Sequence, residues 1–389
     1  DKTHYFVKQL SDYFLFSLYL VMNILYIGWL LLVYGLGALY SVSIHESFTL
    51  TLASGDPSNY FYFLRQLRNI GVGLIIAYIV YKTSLARIRS RRYLILAWVL
   101  ILTLLLFTPL GLELNGARLW LQVPFLATIQ PWEFFKLGFV LLISDRLVRK
   151  KLILQSFWWF IKFGIVISLC FLVFLLLRDN GTILILALTS LISYWYLGGK
   201  KRFVGIMIGI GIVAASLVVS QVNYVRDRFD AFLNPDADTS GRGITYQIKN
   251  ALTAVGWGGI WWKWYGKWLQ KFGYIPEAQS DYIFAAFSEE LGLFGNSILI
   301  GLYIWLALYF LTRIKGIRDD YLRGMGVGII SLIILQAFVN IWVNINILPS
   351  TGLTLPFVSF GGTAIMVNMI ELVLLHKILV EGKELKKLY

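Results

Sequence analysis

Ten long apolar runs constrain this chain more than any other feature of its sequence. Each run is close to the roughly 20 residues that a helix needs to cross about 30 Å of hydrocarbon. The composition agrees, because 58% of the 389 residues are hydrophobic and only 14% are charged, a balance for which a soluble domain has too small an interior. The sequence therefore predicts an all-α polytopic membrane protein with about ten transmembrane helices. They are expected near residues 22–43, 67–83, 93–109, 131–149, 156–177, 181–198, 203–222, 286–312, 322–346 and 359–380.

Positive charge is concentrated in alternate connections between these runs. Lys and Arg number 35 against 21 Asp and Glu, and segments such as 82–92 and 146–151 are rich in them. The short connections on the opposite side carry few, with Arg65, Arg118 and Arg178 as exceptions. The positive-inside rule then predicts cytoplasmic N- and C-termini. Since topology accounts for the net charge, binding of nucleic acid is not expected.

One large loop, residues 223–285, departs from the apolar character and is predicted to be extracytoplasmic. Within it, apolar residues recur at helical spacing from 244 to 255, which predicts an amphipathic helix along the membrane surface. Long loops inside compact proteins are usually functional. No linker or soluble domain interrupts the pattern, so we expect a single integral membrane domain over residues 1–389.

Several chemistries are excluded by what the sequence lacks. Its histidines, His4, His45 and His376, are far apart in the predicted topology and show no spacing typical of a zinc site or a serine hydrolase. No glycine-rich loop is followed by Lys-Ser or Lys-Thr, so nucleotide hydrolysis is not indicated. The single cysteine, Cys170, excludes a disulfide framework. Polar residues at the outer ends of helices remain as candidates.

The first polar cluster combines Arg118, in an outer connection, with Glu133 and Lys136 at the start of a predicted helix. Glu133 and Lys136 stand at i, i+3, so they share one helix face within salt-bridge reach. Two interpretations remain open. The residues form an interfacial ion pair that holds a helix end, or two cations beside a carboxylate form a diphosphate site.

The second cluster surrounds Asp281, where the polar loop turns into a helix, with Gln279 and Ser280 as neighbours. An Asp at a helix start is an ordinary cap. An acidic residue that faces an outer cavity is alternatively a general base for a sugar hydroxyl. Glu289 and Glu290 lie about two turns deeper and are assigned a structural role.

The third cluster is a proline- and glycine-rich stretch at residues 348–363, which contains Ser359. Two prolines and three glycines between apolar helices predict a non-helical re-entrant segment. Lipid tolerates such backbone only where protein or water satisfies it, so segments of this kind tend to line sites.

Taken together, these clusters resemble the SEDS family of membrane peptidoglycan glycosyltransferases, which includes an FtsW and a RodA branch. The motifs occur in family order over nearly the whole chain, and residues 276–278 and 352–356 are more similar to the FtsW, cell-division branch. The matching segments are FLRQL at 63–67, GARLW at 116–120, QPWEFFK at 130–136, DNGT at 179–182, YQ at 246–247, PEAQSDYIF at 276–284, EELG at 289–292 and LPFVSFGG at 355–362.

The resemblance implies a polymerase that joins lipid II units into glycan strands on the outer face of the membrane. Asp281 would be the general base for the acceptor hydroxyl. Arg118 and Lys136 would neutralise the leaving undecaprenyl diphosphate, and Glu133 would orient Lys136. The expected substrate-binding residues are Arg118, Glu133, Lys136, Gln279, Ser280 and Ser359.

Partners and location follow from the same resemblance. It implies lipid II as substrate, surrounding membrane lipid, and a class B penicillin-binding protein that crosslinks the new strand. The expected location is the bacterial cytoplasmic membrane and, for the division branch, the septum. A divalent cation, Mg²⁺ or Mn²⁺, would be able to share the charge of the diphosphate, although the sequence shows no dedicated metal cage and no other cofactor is expected.

The chain departs from the family at positions where a small residue is expected. These positions hold Trp132, Trp257, Trp262, Trp264, Trp342 and Asn346. One hypothesis is that the source organism reads UGA as Gly while the sequence was translated with UGA as Trp. Mass spectrometry of the native protein tests it, because Trp in those peptides would end the idea.

Two other classes of function stay open beside the polymerase. Ten helices with buried charges also suit a flippase or transporter of lipid-linked precursors, although no inverted repeat is visible. A non-catalytic scaffold for division partners would fit if the tryptophans have disrupted the site.

Overall fold

The computed structural model describes residues 24–52, 55–114, 117–122, 128–149, 156–236, 243–261 and 275–387 of the chain. Helices form most of it, as the sequence predicts. The helices are α1 Ile24–Val42, α2 Ile44–Leu52, α3 Phe61–Lys82, α4 Leu85–Leu104, α5 Pro131–Arg149, α6 Phe157–Leu176, α7 Asn180–Tyr196, α8 Lys201–Gln221, α9 Asn223–Leu233, α10 Ile244–Gly258, α11 Ile283–Ile314, α12 Asp320–Asn344 and α13 Gly362–Lys387.

All ten predicted runs coincide with helices, and in the described part of the chain seven helices are long and apolar enough to cross a membrane. Those seven are α1, α3, α4, α8, α11, α12 and α13. The other three runs correspond to α5, α6 and α7. Charged side chains at both ends lower the hydropathy of α5, and α7 has only 17 residues. The chain is thus a multi-pass membrane protein, and the number of ten crossings stays a prediction.

Several helices extend beyond their apolar runs. The Ser84 side chain caps α4 by accepting a hydrogen bond from the Arg87 amide, so this helix begins eight residues before the predicted run at 93. A helix keeps its backbone hydrogen bonds in water as well as in lipid, so only its central part has to be apolar. Hydropathy therefore locates the part of the helix in hydrocarbon and not its ends.

Helix α12 lies at the centre of the bundle and packs against α5, α7, α11 and α13. Two further pairings, α3 with α13 and α4 with α5, complete much of the core. By contrast, α8 exposes apolar side chains such as Ile210 and Leu217. This arrangement suits a chain whose outer helices contact lipid tails while α12 contacts protein on most sides.

The amphipathic helix predicted within the large loop is confirmed as α10. Its face containing Ile248, Ala251 and Ala254 is buried, and the helix packs against α11. The close approach of α10 to α11 requires glycine at position 258, because a Cβ added to Gly258 would lie 2.2 Å from the Ser288 carbonyl oxygen. The apolar face of α10 is therefore covered by protein.

A short hairpin adds a feature that the sequence analysis did not predict. Strand β1 (Gly111–Leu114) pairs antiparallel with β2 (Ala117–Leu121). The hairpin follows α4 and precedes α5, and Trp120 packs edge-to-face on Trp132 with ring centroids 6.0 Å apart. It thus forms one wall near the start of α5.

The large residues at positions where the family is expected to have a small one are accommodated in different ways. Asn346 adopts a left-handed backbone with φ of 54°, a conformation that Asn tolerates better than most residues. Trp257 in α10 and Trp342 in α12 have exposed side chains, whereas the Trp132 side chain is buried. Positions 262 and 264 lie outside the described residues, so the UGA hypothesis stays a prediction.

Basic segments predicted to be cytoplasmic gather at one end of the bundle. Arg89 at the start of α4 pairs with Asp319 before α12 at 3.3 Å. Arg92 pairs with Asp145 near the end of α5 at 3.1 Å, and both side chains are buried. The α3–α4 connection, the end of α5 and the α11–α12 connection therefore share one end, which is consistent with the predicted topology.

Cysteine labelling tests the orientation of this end. In a Cys170→Ser background, Arg91→Cys should react with an impermeant maleimide only after the cells are permeabilised, and Lys249→Cys in α10 should react in intact cells. Both side chains are solvent-exposed in the structure, so accessibility is set by the side of the membrane. Labelling of Lys249→Cys only from the cytoplasm would contradict the predicted orientation.

Candidate functional site

Residues from each of the three polar clusters line one cavity of about 400 Å³. It lies between α3, the hairpin, α5, α9 and two non-helical segments, residues 275–282 and 345–361. The non-helical character predicted for the third cluster is confirmed, and Thr351, Gly352 and Phe360 from it line the cavity. This cavity is the candidate site.

Charged groups of both signs line the cavity among the described residues. The guanidinium groups belong to Arg65, Arg68, Arg178 and Arg228, and the carboxyl groups to Glu133, Asp179, Glu277 and Asp281. Asp179 caps α7 through a 2.9 Å hydrogen bond from the Thr182 amide, which gives it a structural task. A mixed lining of this kind suits a substrate that carries both an anionic group and neutral hydroxyls.

Asp281 precedes α11 without capping it. The N-cap of α11 is Tyr282, which makes no side-chain capping bond, and the Asp281 carboxyl faces the cavity instead. Opposite it, Gly352 has a φ of 70°, and an added Cβ there would lie 3.6 Å from Asp281 Oδ2. The interpretation of Asp281 as an ordinary helix cap is therefore not supported, and glycine at 352 leaves space beside the carboxyl.

The electrostatic surroundings of Asp281 favour its neutral form more than water does. Burial, the largest cause, and the nearby Glu277 carboxylate raise the pKa of Asp281 from 3.8 to about 7. The Arg228 guanidinium acts in the opposite direction. A carboxyl group that titrates near neutral pH is suited to accept a proton from a hydroxyl and to release it afterwards.

Ser359 and Gln279 hold the segment of Asp281 in place. Ser359 Oγ donates a 2.5 Å hydrogen bond to the Ser280 carbonyl oxygen. Gln279 accepts a bond of 2.9 Å from the Phe360 amide through its carbonyl oxygen, and its side chain donates to Glu46 at 3.1 Å. Gln279 and Ser280 also line the cavity, whereas Ser359 ties the two non-helical segments together.

The predicted Glu133–Lys136 salt bridge is present and buried. Glu133 Oε2 lies 2.8 Å from Lys136 Nζ, and Lys136 also donates to Gln336 Oε1 at 2.6 Å. Glu133 lines the cavity, but Lys136 is not among the described residues that do. Lys136 therefore acts on the cavity through its ion pair with Glu133.

Arg118 is not brought to the cavity by the structure. Its guanidinium pairs with Glu113 across the hairpin at 2.9 Å, and both side chains are half-exposed. Its neighbours Leu119 and Trp120 line the cavity instead. The expectation that Arg118 and Lys136 together contact a diphosphate thus does not match the positions of the two cations.

Four cavity arginines and Glu277 were not selected from the sequence as site residues. Two features, one in the sequence and one in the backbone, point to some of these residues. Arg65 and Arg178 are basic residues in connections that otherwise carry few. Arg178 and Glu277 also have positive φ values of 60° and 56°, and strained backbone of this kind clusters at functional sites. The strain is visible only in the structure.

Comparison with known proteins agrees with the motifs. The model of the family described as FtsW, RodA and SpoVE cell cycle proteins matches residues 22–384. A probable peptidoglycan glycosyltransferase FtsW from Thiomonas intermedia is 31% identical over 94% of this chain and 90% of its own length.

Two solved structures show the same fold. One is a chain from a structure that concerns the coordination of polymerization and crosslinking by a peptidoglycan synthase complex. It has a TM-score of 0.75 and 21% identity, and the match covers 92% of this chain and 97% of that one. The other is the rod shape determining protein RodA from Thermus thermophilus, with a TM-score of 0.65, 19% identity, and coverage of 93% and 97%. From the family match and the sequence identity, this chain belongs to the FtsW, RodA and SpoVE family.

Proposed function

We propose that this protein polymerises lipid II into peptidoglycan glycan strands. The observation that carries the proposal is the Asp281 carboxyl, which titrates near neutral pH and shares one cavity with four guanidinium groups. Such a site combines a base for a sugar hydroxyl with cations for a diphosphate. Membership of the family supports the same reaction.

In the proposed reaction, the acceptor sugar hydroxyl attacks the anomeric carbon of the donor. A β-1,4 glycosidic bond forms while the bond from that carbon to the diphosphate oxygen breaks. The proton of the hydroxyl passes to Asp281, and undecaprenyl diphosphate leaves with the bonding electron pair. Negative charge grows on the diphosphate, so fixed cations stabilise the transition state more than the ground state.

The arginines of the cavity replace Arg118 and Lys136 as the proposed diphosphate ligands. Arg228 is fixed by a 2.9 Å hydrogen bond from Nη1 to the Ser350 carbonyl oxygen, and its guanidinium lies 4.4 Å from the Tyr224 ring centroid. Arg68 lies on α3 at the cavity edge. Glu133, which pairs with Lys136 at 2.8 Å and lines the cavity, is positioned to accept hydrogen bonds from substrate hydroxyls.

No dedicated metal site supports this chemistry in the described part of the chain. There, no three His, Cys, Asp or Glu side chains gather to hold an ion. We propose Mg²⁺ or Mn²⁺ only as a cation that binds through the substrate diphosphate. A polymerisation assay with and without a chelator tests it.

The proposal also includes location and partner. The site is proposed to open on the outer face of the bacterial cytoplasmic membrane, at the septum if the division role holds. A class B penicillin-binding protein is proposed as partner, since a solved structural relative is part of a complex that couples polymerization with crosslinking. Co-purification with such a transpeptidase checks the partner.

Substitution of Asp281 is the central test of the function. Asp281→Asn keeps the shape of the side chain but cannot take up the hydroxyl proton. Glycan polymerisation by the purified protein should fall by about 10²- to 10⁴-fold, the usual contribution of a general base. Membrane yield, thermal stability and lipid II binding should remain as in the wild type. Polymerisation within about threefold of wild type would exclude Asp281 as the base.

The cation assignment is tested by one arginine at the cavity and one outside it. Arg68→Ala should lower kcat/KM for lipid II by roughly tenfold to a hundredfold, because a charge-assisted contact is worth about 1.5–3 kcal/mol. Arg118→Ala is the matched control and should leave kcat/KM nearly unchanged. The reverse pattern would restore the sequence-based assignment of Arg118 and remove Arg68.

The rate should depend on pH through Asp281. A general base acts in its deprotonated form, and the raised pKa means that this form is lost as the pH falls below about 7. Polymerisation should then decrease by about tenfold for each further pH unit. Glu277→Gln removes a negative charge that raises this pKa, so the acid limb should move to lower pH. An acid limb near pH 4 in the wild-type protein would contradict the assignment.

A further inference from the structure

Three side-chain amides form a row along one face of α12. Gln336, Asn340 and Asn344 are spaced by four residues, which places them one above another on the helix. Their exposed fractions are 4%, 1% and 1%. Buried amides need partners for both their N–H groups and their oxygens, so their contacts show what this amide row holds.

The first amide connects α5 with the second non-helical segment. The Gln336 oxygen accepts the 2.6 Å hydrogen bond from Lys136. Its nitrogen donates to the Thr354 carbonyl oxygen at 2.9 Å. Because Lys136 pairs with Glu133, this amide fixes both the ion pair and the cavity wall next to it.

The other two amides converge on the main chain of Asp281. Asn340 Nδ2 and Asn344 Nδ2 each donate to the Asp281 carbonyl oxygen at 2.9 Å. Asn340 Nδ2 also donates to the Leu353 carbonyl oxygen at 2.7 Å. Asn344 Oδ1 accepts a 2.9 Å bond from the amide of Ala285, in the first turn of α11.

We propose that the amide row Gln336, Asn340 and Asn344 consists of positioning residues, which hold the Asp281 main chain at a fixed distance from the Glu133–Lys136 pair during glycosyl transfer. The proposal rests on the proposed function of the cavity. Every partner named above lines the cavity, pairs with a lining residue or belongs to the first turn of α11. One helix therefore contacts both the main chain of the base and the Glu133–Lys136 pair.

The physical argument concerns a carboxyl on a non-helical segment. Asp281 is outside the hydrogen-bond ladder of α11, and its carbonyl oxygen is held instead by the two donors from α12. Its carboxyl is joined to that backbone by a single methylene group, so a displaced main chain moves the base with it. A misplacement of about 1 Å is able to cost roughly 10²-fold in rate, whereas the affinity for a large substrate with many contacts changes little.

Substitution at Asn340 and Asn344 tests this. Asn340→Ala removes the donor shared by Asp281 and Leu353 and should reduce kcat for lipid II polymerisation by about 10- to 100-fold, with KM within about twofold. Asn344→Ala leaves the other donor to Asp281 in place and should give a smaller loss of kcat, so it also serves if Asn340→Ala fails to reach the membrane. Asn368→Ala is the matched control, because Asn368 is a buried amide on α13 and should leave both constants unchanged.

A second experiment distinguishes positioning of Asp281 from general support of the fold. In an Asp281→Glu background the base is already displaced by the longer side chain, so adding Asn344→Ala should reduce kcat much less than it does in the wild type. Equal losses in the two backgrounds would overturn the proposal, as would a change confined to KM or a lower thermal stability that accounts for the whole loss.

The control for the function itself is the wild-type protein. If wild-type protein polymerises lipid II while both asparagine variants match it, the positioning role is wrong and the proposed function stands. If purified wild-type protein lacks polymerisation while it binds lipid II, the proposed function fails first, and the positioning role falls with it.

Discussion

The need to satisfy backbone groups in an apolar environment is the constraint on which this structure depends. Residues 275–282 and 345–361 are non-helical segments within a helical membrane protein, where unpaired peptide groups are costly. They are stabilised partly by each other, through Ser359 and the Phe360 amide. Further bonds come from amides on α12 and from the side chains of Gln66, Arg228 and Tyr303. The site exists where these segments meet.

The same arrangement explains the chemistry available at the cavity. Because the segment of Asp281 is folded against protein, its carboxyl is desolvated and its pKa is raised to about 7. An Asp in a solvated loop would remain ionised at neutral pH and would be a weaker base. The arginines reach the cavity from α3, α9 and the start of α7, so no single element carries the site.

Local features of the sequence predicted most of the fold and part of the site. Apolar runs located the helices because lipid imposes the same requirement on each of them, and the i, i+3 spacing predicted the Glu133–Lys136 contact because both residues lie on one helix. Spacing does not determine how separate helices face each other. The position of Arg118 on a hairpin, the four cavity arginines and the contacts of Gln336 with Lys136 therefore had to come from the structure.

The buried Glu133–Lys136 pair fixes the positions of two charged side chains, which lose their hydration in return. Two charges removed from water lose hydration that their mutual attraction need not repay, and the i, i+3 contact alone leaves other donors of Lys136 without partners. The Gln336 side-chain oxygen accepts a hydrogen bond from one of them.

The Gln336 side-chain nitrogen donates to the Thr354 carbonyl oxygen at 2.9 Å. The Lys136 ammonium, the Gln336 amide and the non-helical segment therefore form one connected network. Displacement of any member of this network would leave a buried polar group without its partner. The pair therefore orders the part of the cavity wall to which Glu133 belongs.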